Sequence, residues 1–393
     1  MFIARATAAF AGVLLSATLV QASDTKPAIV FDTGGKFDKS FNEGVANGAE
    51  RFKMETGIGP IEFEATNVTQ FEQAHRRFAQ RGADLVIGVG FNQGVPVEAA
   101  AKEFPAVHFT IIDAVVRQPN VQSVLFKEQE GSFLVGIAAA MASKTGKIGF
   151  VGGMDIPLIR RFACGYVQGA KYVNLNIEVI QNMTGTTPAA WNDPARGGEL
   201  AKGQFDRGVD VVYAAAGGTG IGVYQMAKDG GKFAIGVDSN QNYLHPGTML
   251  TSMVKRVDLA TYNSLIAEKA GTWQPGISVL GLKEGAVDWA VDEYNEKLIT
   301  REMRAKVEQA KRDIIDGKIK VQDTWRPTPA LRSEKQPLRQ PMCSRHSHES
   351  GNPEAAMPQR LPLDPRFRGV TIIHCKDGLY FESVSEKHAA RAS

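Results

Sequence analysis

Short apolar runs alternate with helix-length amphipathic segments along this chain, and the alternation starts over once. Residues 28–32, 61–65, 84–89 and 107–112 read as strands. Segments 40–56, 71–81, 96–104 and 131–142 between or after them read as helices. The pattern resumes with strands at 147–151, 177–183, 210–215 and 233–237, separated by helices at 158–173, 194–204 and 222–228. Strands at 248–253 and 286–290 and helices at 258–269 and 292–316 complete it. Continuous apolar strands separated by helices predict parallel sheets covered on both faces. Two such arrays in succession predict an α/β protein of two similar lobes, with a ligand site at their interface.

The ends of the chain read differently. Arg5 gives a positive start, residues 6–20 are apolar with small side chains, and Val20-Gln21-Ala22 fits cleavage after Ala22. The expectation is a signal peptide over residues 1–22 and a periplasmic product. No Cys follows the apolar run, so a lipid anchor is not expected. From residue 332 onward Pro, Arg, Ser and His dominate without a sustained period. Residues 344–354 and 363–369 resemble a translated dispersed intergenic repeat, and 332–393 reads as a disordered read-through tail. That tail carries 10 Lys/Arg against 7 Asp/Glu, out of 45 against 42 overall, leaving 35 against 35 in the body. A balanced body has no basic footprint for nucleic acid. Cys164, Cys343 and Cys375 are too far apart in sequence for a metal pattern, and Cys164 reads as a small core residue.

Chemistry-bearing residues gather at strand ends. The first strand runs into Asp32-Thr33-Gly34-Gly35-Lys36-Phe37-Asp38-Lys39-Ser40-Phe41-Asn42. In open α/β sheets ligands bind just beyond the carboxyl ends of strands. Read singly, each residue has a structural account. Asp32 and Asp238 would cap helices, Phe41 would fill the core, and Trp191 would cover a lobe surface. Asp113 would cap a turn and Lys255 would be a solvated charge. Their joint placement at strand ends of both halves favours a binding site.

The opening segment resembles the first motif of the basic membrane protein family, substrate-binding proteins of ABC importers whose characterised members bind purine nucleosides. Gly149-Phe150-Val151-Gly152-Gly153-Met154, Ala214-Ala215-Ala216-Gly217-Gly218-Thr219-Gly220, Ile235-Gly236-Val237-Asp238-Ser239-Asn240-Gln241 and Thr251-Ser252-Met253-Val254-Lys255-Arg256-Val257-Asp258 are similar to later family motifs, in order, over residues 27–322. The resemblance implies a type I periplasmic-binding-protein fold, two Rossmann-like lobes joined by hinge strands. Lobe 1 is then expected over 27–130 plus 245–275, and lobe 2 over 131–244 plus 276–322. It further implies that Phe41 and, by a looser match, Trp191 stack on a base, and that Asp113 reads the base edge. Asp32 stands at the opening acid, Asp238 and Lys255 hold the ribose hydroxyls, and Gly217 or Gly218 offers a backbone contact. The implied partners are a nucleoside and an inner-membrane ABC permease, for a monomer with no cofactor.

The residues themselves suit such a ligand. Base–aromatic stacking contributes about 1–3 kcal/mol per contact, and a carboxylate can accept two vicinal hydroxyls through charge-assisted bonds. Three converging acids would repel a nucleotide, which argues for an uncharged ligand. A simple sugar is the alternative within the same fold. A nicotinamide-dependent oxidoreductase is the alternative from another class, since Gly88-Val89-Gly90-Phe91-Asn92-Gln93-Gly94 follows a strand. Its G-x-G-x-x-x-G spacing departs from the dinucleotide fingerprint, and an exported protein is a poor host for NAD. No G-x-S-x-G, H-E-x-x-H or C-x-x-C occurs.

Overall fold

The apolar strands pair in parallel, as their uninterrupted hydrophobicity requires. A computed structural model describes residues 25–323; the expected leader and the tail from 332 lie outside them. The first array runs β1 (Pro27–Phe31), α1 (Phe41–Thr56), β2 (Ile61–Glu64), α2 (Phe71–Gln80), β3 (Leu85–Val89), α3 (Gly94–Glu103), β4 (His108–Ile112) and β5 (Val121–Phe126). The second runs α4 (Glu128–Ala142), β6 (Lys147–Met154), α5 (Pro157–Val173), β7 (Glu178–Gly185), α6 (Pro194–Phe205), β8 (Val211–Ala215), α7 (Gly220–Asp229), β9 (Phe233–Asp238) and β10 (Met249–Lys255). Then follow α8 (Val257–Lys269), β11 (Gly276–Leu280), β12 (Val287–Trp289) and α9 (Arg301–Ile315).

One sheet has the order β11-β5-β4-β3-β1-β2 and the other β12-β10-β9-β8-β6-β7. All the pairings are parallel except β10 with β12. The two orders match strand for strand, so the sequence repeat is a structural repeat. In each sheet the order reverses between the first strand and the third, β1/β3 and β6/β8. That is where the crevice of a doubly wound sheet opens. No helix of the described residues is long and apolar enough to cross a membrane.

The chain passes between the sheets three times, after β5, after β10 and between β11 and β12. These crossings make the hinge of a type I periplasmic-binding-protein fold, and they correct the expected lobe boundaries. β10 pairs with β9 and belongs to the second lobe, not the first. α8 packs on α1, and β11 pairs with β5, so both belong to the first. Lobe 1 is therefore residues 25–126 plus 257–280, and lobe 2 is 128–255 plus 287–323. The expected helix over 292–316 is also shorter, and begins at Arg301. Residues 292–300 form turns held by buried Asn295, whose side-chain amide donates to Leu250 O (2.8 Å) and Ala290 O (2.9 Å). The Thr300 hydroxyl then accepts from Met303 N and caps the helix.

Small residues let α4 and α5 pack backbone to backbone in lobe 2. A Cβ on Gly169 would sit 1.9 Å from Phe133 O, and one on Gly136 would sit 2.2 Å from Tyr166 O. Gly169→Ala should therefore push these helices apart and destabilise the protein by about 1–3 kcal/mol. Gly203→Ala in α6, which meets nothing within 4 Å, should be neutral or slightly stabilising. Urea midpoints of the two variants check the contrast.

Candidate functional site

Both crevices open onto one cavity between the lobes. In lobe 1, Asp32 leaves β1 and Gly90 leaves β3, side by side. Gly90 has φ +98°. A Cβ there would come within 2.5 Å of Asp32 Oδ2, so glycine is required twice over. Asp32 Oδ1 accepts from Thr33 N at 2.7 Å, and the Asp32 amide donates to Asn42 Oδ1 at 3.2 Å. In lobe 2 the equivalent place is filled by an indole. Trp191 lies on Gly153, where a Cβ would fall 2.0 Å from the ring carbon Cζ3. Its edge faces Phe91 of lobe 1, with ring centroids 6.4 Å apart.

Two acids occupy matching positions in the repeat. Asp113 follows β4 with φ +69°, and Asp238 ends β9 with φ +61°. Asp is among the few side chains that tolerate this left-handed backbone, which turns each carboxylate off the strand end. Lys255, the last residue of β10, reaches between the lobes. Its Nζ lies 2.6 Å from Asp113 Oδ2 and 3.2 Å from Glu128 Oε1. Glu128 opens α4 and accepts from Arg161 Nε at 2.9 Å. The ammonium also sits 5.2 Å from the Phe41 ring centroid and 5.0 Å from that of Phe126. The second Asp113 oxygen, Oδ1, is buried without a protein partner.

Burial sets the charge states. Desolvation pushes Asp32, Asp38 and Asp238 up to about 6, against hydrogen bonds that favour the carboxylates. Glu128 is pushed upward by burial as well, although Lys255 opposes the shift. For Lys255, burial alone would favour the neutral amine. Asp113, Glu128 and Asp238 outweigh it and hold the ammonium above the ordinary lysine range.

Asp32, Phe41, Asp113, Trp191, Gly217, Asp238 and Lys255 all line this cavity. Gly218 supports it from behind, against the Trp191 carbonyl. The sequence reading missed Asp38, Asn42, Phe91, Leu158, Ile159 and Phe162 in the lining, and Glu128 beside it. Asp38 and Asn42 lay within the opening motif. Glu128 was hidden because α4 was expected to begin at residue 131. Helix capping at α1 goes to Asp38, which accepts from Asn42 N and Glu43 N, and not to Asp32.

Residues 26–324 match the Bmp family, described as ABC transporter substrate-binding protein PnrA-like. The chain belongs to this family. It is 36% identical over 322 residues to the ABC transporter nucleoside-binding protein BmpA of Lactococcus lactis, covering 76% of this chain and 89% of that one. Basic membrane protein A2 of Borrelia garinii is 32% identical over 307 residues, covering 75% and 88%. Among solved structures, a solute-binding protein of an ABC transporter system from Aeropyrum pernix superposes with a TM-score of 0.70 at 32% identity, covering 75% of this chain and 92% of that one. As a member of the Bmp family, the protein is a substrate-binding component of an ABC transporter. The glycine loop at Gly88–Gly94 serves this architecture: Gly90 packs on a carboxylate, which would repel a pyrophosphate.

Proposed function

We propose that this protein captures a purine nucleoside between its lobes, outside the cytoplasm, and delivers it as a monomer to a membrane permease. The observation that carries the reading is the pairing of Phe41 and Trp191 with Asp113 and Asp238 around one interlobe cavity. Two aromatic faces suit a planar base. Asp238 suits a vicinal diol, while the unpartnered Asp113 Oδ1 suits a ring N–H. Lys255 has three donors, one of them given to Asp113 Oδ2, with Glu128 beside it as an ion-pair partner, so donor capacity remains for a ligand oxygen. The acids outnumber this cation, which favours an uncharged ligand over a phosphorylated one. The name of the Lactococcus lactis relative supports the same class. Binding, closure and release account for the action, with no bond made or broken.

A thermal-shift panel of adenosine, guanosine, inosine, uridine, adenine, ribose, glucose and NAD tests this reading, since a ligand of the folded state raises Tm by mass action. Shifts confined to purine nucleosides are expected. Shifts with glucose alone would replace the base-binding roles of Phe41, Trp191 and Asp113 with sugar recognition.

Affinity should also depend on pH. Hydroxyl donors need the Asp238 carboxylate, whose pKa of about 6 means that it protonates as pH falls below 6. The dissociation constant should rise about tenfold between pH 7.5 and pH 5, since one pH unit below a pKa is a factor of ten in the ionised fraction. Stability of the ligand-free protein carries the opposite sign for these acids. The native state keeps their protons up to about 6, whereas the unfolded chain releases them near 3.8. Their contribution is therefore full below 3.8 and is lost as pH rises through 6. Calorimetric titrations at the two pH values, with melts of the free protein, separate the effects.

A further inference from the structure

Ser40 stands at the N-cap position of α1, yet its hydroxyl makes no bond to the helix. Serine is a preferred cap because its oxygen accepts from the first free amides. Here Asp38 performs that task through Asn42 N (3.0 Å) and Glu43 N (3.1 Å), and also accepts from Ser40 N (2.8 Å). The Ser40 hydroxyl points instead across the cleft. Its Oγ donates to Asp238 Oδ2 at 2.6 Å, with Val237 O at 3.3 Å. The contact is fully buried on the Ser40 side.

Two more bonds join the same segments. Ser239 Oγ donates to Ser40 O at 2.7 Å, and Gln241 Nε2 donates to Lys39 O at 2.8 Å. Gln241 is itself fixed, because its Oε1 accepts from Tyr224 OH (2.8 Å) and Val237 N (2.7 Å). Lys39 and Asp238 face this junction with left-handed backbones, φ +62° and +61°. Residues 39–40 belong to lobe 1 and residues 237–241 to lobe 2. The bonds that cross between these segments, from Ser40 Oγ, Ser239 Oγ and Gln241 Nε2, would break when the lobes separate.

Asp238 therefore answers to two things at once. It lines the cavity, and it receives a hydroxyl that reaches it only from the other lobe. We infer that Ser40 is a closure-dependent positioning residue: its hydroxyl orients the Asp238 carboxylate once the lobes meet, and so sets how long a ligand stays. Capture by the open cleft does not need Ser40, so the effect falls on release. The inference rests on the proposed capture of a ligand between the lobes, but its core, the interlobe latch, can be read without any ligand.

The test is Ser40→Ala in the full chain, a change that spares α1 because Asp38 holds the cap. Stopped-flow kinetics with guanosine, inosine and adenosine should show dissociation on the order of tenfold faster, the worth of one hydrogen bond to a charged group, with association changed less than about twofold. Hydrogen exchange of the ligand-free protein should speed up at residues 237–242 and 36–42, and stay unchanged in β8. Ser239→Ala, which leaves Asp238 untouched, should produce the same exchange pattern more weakly. Unchanged release together with unchanged exchange would overturn the latch. Faster release with unchanged exchange would overturn it too, by making Ser40 a direct ligand contact. Faster exchange with no nucleoside bound would keep the latch and discard the nucleoside reading.

Discussion

Asp238→Ala should raise the nucleoside dissociation constant by roughly a thousandfold and leave the protein folded. Asp238 ends β9 inside the cavity, where in the proposed complex its carboxylate accepts two vicinal hydroxyls. Each charge-assisted bond contributes about 2 kcal/mol, and two together correspond to about three powers of ten. Removing the side chain also removes a buried acid whose ionised form is unfavourable, since desolvation holds its pKa near 6. That gain offsets much of the strain of placing alanine at φ +61°. Asp238→Asn separates charge from shape. It tolerates the left-handed backbone and still offers Ser40 an acceptor, so its loss should be only about 10- to 100-fold. Titration calorimetry for affinity and thermal melts for the fold check both variants. An alanine variant with native affinity would move the diol contact elsewhere.

The sequence exposed β1, β3, β4, β6, β8 and β9 because these strands are apolar and almost wholly buried, and the edge strands β2 and β7 through their place in the alternation. β5 and β11 escaped notice for opposite reasons. Val121–Phe126 interrupts its apolar residues with half-buried Gln122, which accepts from the Thr110 hydroxyl, and buried Ser123, which accepts from Val116 N. Gly276–Leu280 is an edge strand left largely in solvent, with Ile277 and Val279 exposed. Lobe membership was misjudged around Lys255 because the lobe boundary falls there between two adjacent elements. One residue separates the end of β10 in lobe 2 from the start of α8 in lobe 1. Hydropathy carries no mark of such a change, since it depends on which strand is the hydrogen-bonding partner. Site residues within the ordered motifs were legible. Partners brought from elsewhere in the chain, such as Glu128 and Arg161 behind Lys255, were not. Neither was the exchange of roles between Asp38 and Ser40, because both lie in the right motif and only their side-chain directions distinguish cap from latch.

Lys255 makes the second large effect predictable. Its side chain is 1% exposed, and those of its partners Asp113 and Glu128 are 4% and 0% exposed. Breaking a buried pair by removing one partner costs about 3–5 kcal/mol, because the remaining charge is stranded. Lys255→Met keeps the length and apolar stem of the side chain while removing the ammonium, with its pairs to the two acids and its place over the rings of Phe41, Phe126 and Phe162. The loss should therefore be electrostatic. At about 2–4 °C per kcal/mol for a chain of this size, Tm should fall by roughly 10 °C at pH 7.5. The deficit should shrink towards pH 5. Without the ammonium, burial drives Glu128 further upward, and a protonated carboxyl no longer needs a cation. Adding Glu128→Gln to Lys255→Met should recover part of the stability at neutral pH, because the amide is uncharged. Urea unfolding of both variants at the two pH values decides the matter. A Lys255→Met protein as stable as the parent at pH 7.5 would mean that the ammonium does not hold these acids together. A deficit that is independent of pH would assign the loss to packing instead.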